Sequence, residues 1–164
     1  MRKYLPVYLD VTDYNILLIG GGEVASQKVK SLIQFTHNLT VLAPTINEFI
    51  KDQGVNLITE AYTKEQLSGF HLIYACTNNR ILNQEIKQDA EQLHLLVNVV
   101  DDPELCDFIT PAVYTDENFC IAVSTFGKAP GTAAKIRNRI KTLLPVEELT
   151  EMVAAGEKER NKKK

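Results

Sequence analysis

Short apolar runs separated by amphipathic stretches set the rhythm of the first hundred residues. Ile16-Leu17-Leu18-Ile19, Leu39–Leu42, Val55–Ile58, Leu72–Ala75 and Leu95–Val100 read as five strands. The last is broken only by Asn98, as expected of a strand covered on both faces. Between them apolar residues recur at helical spacing: Ala25, Val29, Leu32 and Ile33, then Ile46, Phe49 and Ile50, then Leu82, Ile86, Ala90 and Leu93. Thr63–Leu67 reads as a brief helix closed by Ser68-Gly69. This alternation predicts an α/β fold, a doubly wound parallel sheet with right-handed crossovers.

The rhythm changes after Val100. Asp101-Asp102-Pro103 opens a loop, and Ile109–Tyr114 and Phe119–Ser124 predict a β-hairpin turning at Thr115–Asn118. A helix is expected from Pro130 to Leu144, another over Glu147–Ala155, and a frayed charge run over Glu157–Lys164. Leu5–Leu9 alternates weakly and is expected along a sheet edge or over a ligand cleft. The chain thus divides into 1–112, 113–145 and a short helical, charged tail, 146–164.

The candidate chemistry starts where the first strand ends. Ile16–Ile19 runs into Gly20-Gly21-Gly22-Glu23-Val24-Ala25, a Gly-x-Gly-x-x-Ala turn leading into an amphipathic helix. That is the strand, tight turn and helix start that receive a dinucleotide pyrophosphate in a Rossmann-like fold. Gly20 permits the turn, Gly22 admits the phosphates close to backbone, and Ala25 keeps the helix near the sheet. The helix N-terminus supplies unpaired N–H groups to the anion. The bland alternative is a glycine-rich turn that binds nothing, and the correct order of strand, glycines and helix weighs against it.

In an open parallel sheet ligands lie beyond the carboxyl ends of the strands. Gly20, Gly21, Gly22, Glu23 and Val24, then Ala43, Pro44 and Thr45, then Thr77 and Asn78 follow strands and are the candidate cofactor contacts. The segments Thr77–Arg80 and Asp101–Asp107 converge on the same crevice. No carboxylate stands at Ala43–Thr45 to bind an adenosine ribose, and no arginine cluster offers a site for a 2′-phosphate, so NAD is expected rather than NADP. Among the carboxylates on that side, Asp101 follows directly from a strand. It is either a proton-transfer group or merely the initiator of the turn at Pro103, and position alone does not choose. His37, His71 and His94 each precede a strand, at the opposite edge, so no metal site is expected from them.

Composition narrows the class. A net charge of −3 over 164 residues argues against general nucleic-acid affinity. No apolar run reaches the ~20 residues that span a bilayer. The start, Met-Arg-Lys-Tyr-Leu-Pro, lacks an apolar signal core, and the expected compartment is the cytoplasm. Cys76, Cys106 and Cys120 are widely spaced and read as free thiols.

The ordered set of segments resembles the precorrin-2 dehydrogenase family, the dehydrogenase/chelatase part of siroheme synthase. The resemblance rests on Gly20–Ala25 with Lys28, Ala75-Cys76-Thr77-Asn78-Asn79 with Leu82-Asn83, and Asn98–Pro103. It continues through Phe108–Ala112, Ile121–Thr125 and Gly127–Pro130. It implies NAD-dependent oxidation of precorrin-2 to sirohydrochlorin and, in some members, insertion of Fe²⁺. The essential aspartate of the family falls on Asp101, and its cofactor contacts fall on Gly22, Glu23, Val24, Pro44 and Thr45. An intertwined homodimer is implied, built through the segment after Pro111, so that 113–145 becomes a dimerisation segment.

Precorrin-2 carries many carboxylates, and Arg80, Lys128, Lys135, Arg137 and Arg139 are the cations available; Arg80, Lys128 and Arg137 are the candidate substrate contacts. Two departures from the family stand out. Its members carry a further helical region after the position of Leu144, where only 145–164 follow here, from a short form or a cut chain. The position of Thr125 can be a phosphorylated serine in the family, and no modification is predicted here. The rival reading is a non-catalytic NAD-binding sensor, which would need neither Asp101 nor the basic residues beyond Gly127.

Overall fold

The computed structural model describes residues 3–100 and 102–162. The chain forms two compact units, Met1–Phe108 and Ile109–Lys164. In the first, β1 (Ile16–Ile19), β2 (Leu39–Leu42), β3 (Asn56–Ile58), β4 (Leu72–Ala75) and β5 (Leu96–Val99) form one sheet in the order β3-β2-β1-β4-β5. Every pairing is parallel, with Ile16 level with Leu39 and Leu72. The order reverses between β1 and β4, and the carboxyl ends of those two strands define the crevice.

The central strands are apolar apart from buried Thr40 in β2, because both sheet faces are covered. Ile16, Leu18, Leu39, Val41, Leu72 and Tyr74 pack beneath α1 (Glu23–Leu32) and α2 (Glu48–Lys51), against Ala25, Val29, Leu32 and Ile50. Leu17, Ile19, Leu42, Ile73, Ala75, Val97 and Val99 pack on the other face against Ile86 and Ala90 of α3 (Arg80–Gln92) and against Leu67. Burying one such side chain stabilises the fold by about 1.5–3 kcal/mol. Leu67 closes a 3₁₀ turn, Lys64–Leu67, which stands where a brief helix is expected.

Several expected faces are turned. α3 buries Asn83 and Lys87 along with Ile86 and Ala90, and leaves Leu93 half exposed. The inward polar residues have partners that local periodicity does not reveal: Asn83 binds Thr77, and Lys87 Nζ lies 2.6 Å from Asp107 Oδ1 and 3.0 Å from Glu91 Oε1. In α2 Phe49 is half exposed and only Ile50 is buried. Leu96 at the start of β5 is 45% exposed, so this strand is covered on both faces only from Val97 on. Residues 3–11 form no strand, and Leu5, Val7, Tyr8 and Leu9 stay exposed rather than lying along the sheet.

The second unit contains β6 (Ala112–Thr115) and β7 (Cys120–Val123), an antiparallel hairpin with Ala112 opposite Val123. α4 (Pro130–Leu143) packs against it, Arg137 Nη1 donating to Val113 O at 2.8 Å. Tyr114 is buried, and its hydroxyl donates to Leu144 O. α5 (Val146–Lys162) is longer than the sequence pattern suggests and continues through most of the charge run expected to fray. Glu147 and Glu148 in its first turn and Arg160 and Lys162 in its last complement the helix dipole. No helix of the described residues is long and apolar enough to cross a membrane.

Candidate dinucleotide site

The glycine turn is built by contacts from three separate strands. Gly20 has φ +134°, a region L side chains avoid, and a Cβ there would stand 2.5 Å from Cys76 O at the end of β4. A Cβ on Gly21 would stand 2.0 Å from Thr45 O beyond β2. Gly22 differs: a Cβ there would meet nothing within 4 Å. No contact among the described residues demands glycine at Gly22, which begins α1 as its N-cap with extended backbone and no side-chain cap. Bare N–H groups at a 10-residue helix start, next to open space, form a cradle suited to phosphate.

Asn47 locks this turn, and nothing in the sequence pattern singles it out beyond its place as helix N-cap. Its backbone N–H donates to Gly21 O at 3.0 Å, its amide donates to Ser26 Oγ, and its Oδ1 accepts from Ile50 N. Ser26 Oγ in turn donates to Gly22 O. The loop after β4 is pinned similarly. Buried Asn83 accepts from Thr77 Oγ1 at 2.6 Å through Oδ1 and donates to Thr77 O at 3.0 Å, while Asn79 caps α3 by accepting from Ile81 N and Leu82 N.

These loops enclose a cleft of about 730 Å³. Its lining includes every candidate cofactor residue: Gly20 to Val24, Ala43 to Thr45, Thr77 and Asn78. Ala61 and Tyr62, just beyond β3, line it too, and the sequence pattern did not point to them. The volume, the open Gly22 and the bare helix start fit a dinucleotide. A second, more polar cavity of about 390 Å³ shares Thr77, Asn78 and Val100 with the cleft and is lined by Arg80, Asn83, Val99, Asp102 and Leu105.

Asp101 lies outside the described residues. Its neighbour Asp102 is engaged by Arg80, Nη2 to Oδ2 at 3.2 Å, with the guanidinium otherwise exposed to solvent. Asp107 does not converge on the crevice. The chain after β5 folds back along that strand, so that Asp107 N donates to Val97 O, Asp107 Oδ2 accepts from Val97 N, and Asn98 Nδ2 donates to Phe108 O. Asp107 therefore sits near the start of β5 and covers an otherwise open sheet edge.

The histidines keep to the amino edge: Asn15 N donates to His71 Nδ1 and His71 stacks on Tyr14, ahead of β1 and β4. Among the described residues no cluster of His, Cys, Asp or Glu could hold a metal ion. Lys128 and Arg137 belong to the second unit, Lys128 exposed in the loop before α4 and Arg137 bound to the hairpin backbone. Cys76, Cys106 and Cys120 are free thiols, the first two buried.

A doubly wound sheet with this turn defines a dinucleotide-binding protein. The family model described as "Putative NAD(P)-binding" matches residues 7–112, and the chain belongs to that family. It is 38% identical over 144 residues to the siroheme synthase of Psychrobacter sp. (strain PRwf-1), covering 85% of this chain and 30% of that protein. The siroheme synthase of Photobacterium profundum is 36% identical over 146 residues, 87% of this chain and 31% of that protein. The chain thus spans about a third of the length of these relatives. Among solved structures, "SirC, precorrin-2 dehydrogenase" superposes with a TM-score of 0.74 over 85% of this chain and 70% of that one, at 24% identity, and shares the fold.

Proposed function

We propose that this chain carries out NAD-dependent oxidation of precorrin-2 to sirohydrochlorin within siroheme biosynthesis. The observation that carries the reading is Gly22: a residue with no steric need to be glycine opens the helix start toward a cleft of dinucleotide size. Similarity to siroheme synthases over 85% of the chain supports the substrate. Bound NAD would supply the hydride acceptor. The protein's own part is to orient the macrocycle and take the accompanying proton, which falls to Asp101, two positions after β5 in the sequence, and passes from there to solvent. Arg80, Lys128 and Arg137 are proposed to meet substrate carboxylates, Arg80 steadied by Asp102. Ferrous insertion into the product is proposed as a second step, Fe²⁺ replacing two pyrrole N–H protons that leave by way of the same carboxylate to solvent.

Residues 113–145, within the second unit, are proposed as the dimerisation segment of a homodimer. A hairpin of two strands carries little stability by itself, and α5 buries no residue among those described. The decisive experiment is anaerobic addition of precorrin-2 and NAD⁺ to the purified protein. Stoichiometric NADH and sirohydrochlorin are expected. Tight NAD⁺ binding with no NADH formed would overturn the catalytic reading in favour of a sensor.

A further inference from the structure

An acid at the end of the second strand is the usual partner of an adenosine ribose, and Ala43, Pro44 and Thr45 offer none. The sheet supplies one from the next strand. β2 and β3 pair in parallel with Leu42 level with Ile58, and Ala43 N continues the ladder by donating to Ile58 O at 3.1 Å. Glu60 lies two residues beyond Ile58, as Pro44 lies two beyond Leu42, both in bends past the ends of their strands; Glu60 does not itself line the cleft. Glu60 is exposed, and the two residues that follow it, Ala61 and Tyr62, line the cleft together with Ala43, Pro44 and Thr45.

Its carboxylate is also oriented. Glu60 Oε2 accepts from Gln66 Nε2 at 3.1 Å, and Gln66 is itself fixed because its Oε1 accepts from Thr63 N at 2.7 Å. That leaves the other carboxylate oxygen for an outside donor. We propose that Glu60 binds the adenosine ribose hydroxyls and selects NAD over its 2′-phosphorylated form. This rests on the dinucleotide reading of the cleft.

The surrounding charges point the same way. Lys64, the cation next along the chain, is turned to α3, where it binds Gln92 and lies 3.8 Å from Asp89. Lys51, beyond β2, is held by Glu48 at 2.7 Å. Neither is left to balance a phosphate. Tyr62 donates its hydroxyl to Asp89 Oδ2, and burial, that hydrogen bond and the charges of Asp89, Glu85 and Glu65 all push its phenol pKa up. Asp89, Glu85 and Glu65 thus place negative charge near Tyr62, which a ribose diol tolerates better than a phosphate dianion does.

The test is calorimetric titration of NAD⁺ and NADP⁺ into the wild-type protein and Glu60→Gln, with melting temperatures alongside. Wild type should favour NAD⁺ by about tenfold or more, the scale of one charge-assisted hydrogen bond. Glu60→Gln should weaken NAD⁺, strengthen NADP⁺ and bring the two within about threefold, with an unchanged melting temperature. Glu60→Arg should invert the preference. NAD⁺ binding with the same preference in wild type and both variants would overturn the role of Glu60 and leave the cleft as a dinucleotide site. A wild-type ratio near one would do the same without any variant. Failure of both dinucleotides to bind would overturn the reading of the cleft together with the proposal.

Discussion

Gly21 lies against Thr45 so closely that a Cβ on the glycine would stand 2.0 Å from the threonine carbonyl oxygen and 2.9 Å from Ile46 Cα. Both obstacles are backbone, so neither can swing aside. Gly22, one residue on, has no such neighbour. The two glycines are thus required for different reasons, one by the fold and one by what enters the cleft.

Substitutions should separate those reasons. Gly21→Ala is expected to cost about 1–3 kcal/mol through overpacking against fixed backbone. Gly22→Asp should keep stability or raise it by a few tenths of a kcal/mol, because aspartate is a slightly better N-cap than glycine. It should nevertheless abolish measurable NAD⁺ binding by occupying the phosphate position with a like charge. Thermal denaturation and calorimetry on both variants check this; retained NAD⁺ affinity in Gly22→Asp would remove the cleft from consideration.

The buried amide of Asn83 holds the loop that follows β4. Asn83→Leu takes the side-chain partner from Thr77 O and Thr77 N, while Thr77 Oγ1 keeps its bonds to Asn79, and should destabilise by about 1–3 kcal/mol. Because Thr77, Asn78 and Asn79 line the cleft, dinucleotide affinity should fall as well. Surviving affinity at temperatures well below melting would show that the loop does not contribute to binding.

Lys87 and Asp107 form the ion pair that ties α3 to the fold-back after β5. Burial works to lower the Lys87 pKa, but its hydrogen bonds to Asp107 and Glu91 and their charges outweigh this and hold it above the ordinary lysine value. A raised folded pKa means that the stabilisation is complete below the ordinary value and is lost as pH climbs through the folded one. Denaturant unfolding at pH 8 and at about pH 11 should therefore show wild type losing more stability than Lys87→Met. Asp107→Ala should cost about 1–3 kcal/mol at neutral pH, since it leaves a nearly buried ammonium with Glu91 alone and also deprives Val97 N of its acceptor.

Asp101→Asn tests the proposed proton acceptor. The asparagine keeps the turn-forming capacity before Pro103 but takes no proton. NADH formation from precorrin-2 should drop by about 10²–10⁴ while NAD⁺ affinity and melting temperature hold. Near-normal turnover would return Asp101 to a purely structural role.

Light scattering at micromolar concentration should report a dimer mass. Met152 and Leu143, about 60% exposed in the single chain, should become protected from hydrogen exchange or oxidation in the dimer. A monomeric mass would overturn the proposed role of 113–145.

What the sequence determined by itself was whatever rests on neighbouring residues. The order of strands and helices, the glycine turn at the end of β1 and the histidines at the opposite edge all follow from local periodicity and turn sterics. Tertiary structure decided what depends on residues distant along the chain. The need for glycine at Gly21 comes from Thr45 on another loop, and the inward face of α3 was set by Asp107, which finds Lys87 only because the chain doubles back along β5. Ala61 and Tyr62 come to the same cleft as Pro44 only because β2 and β3 pair in parallel. Periodicity records whether a position is apolar, but not which distant backbone or charge will meet it, and those meetings shape the walls of the cleft.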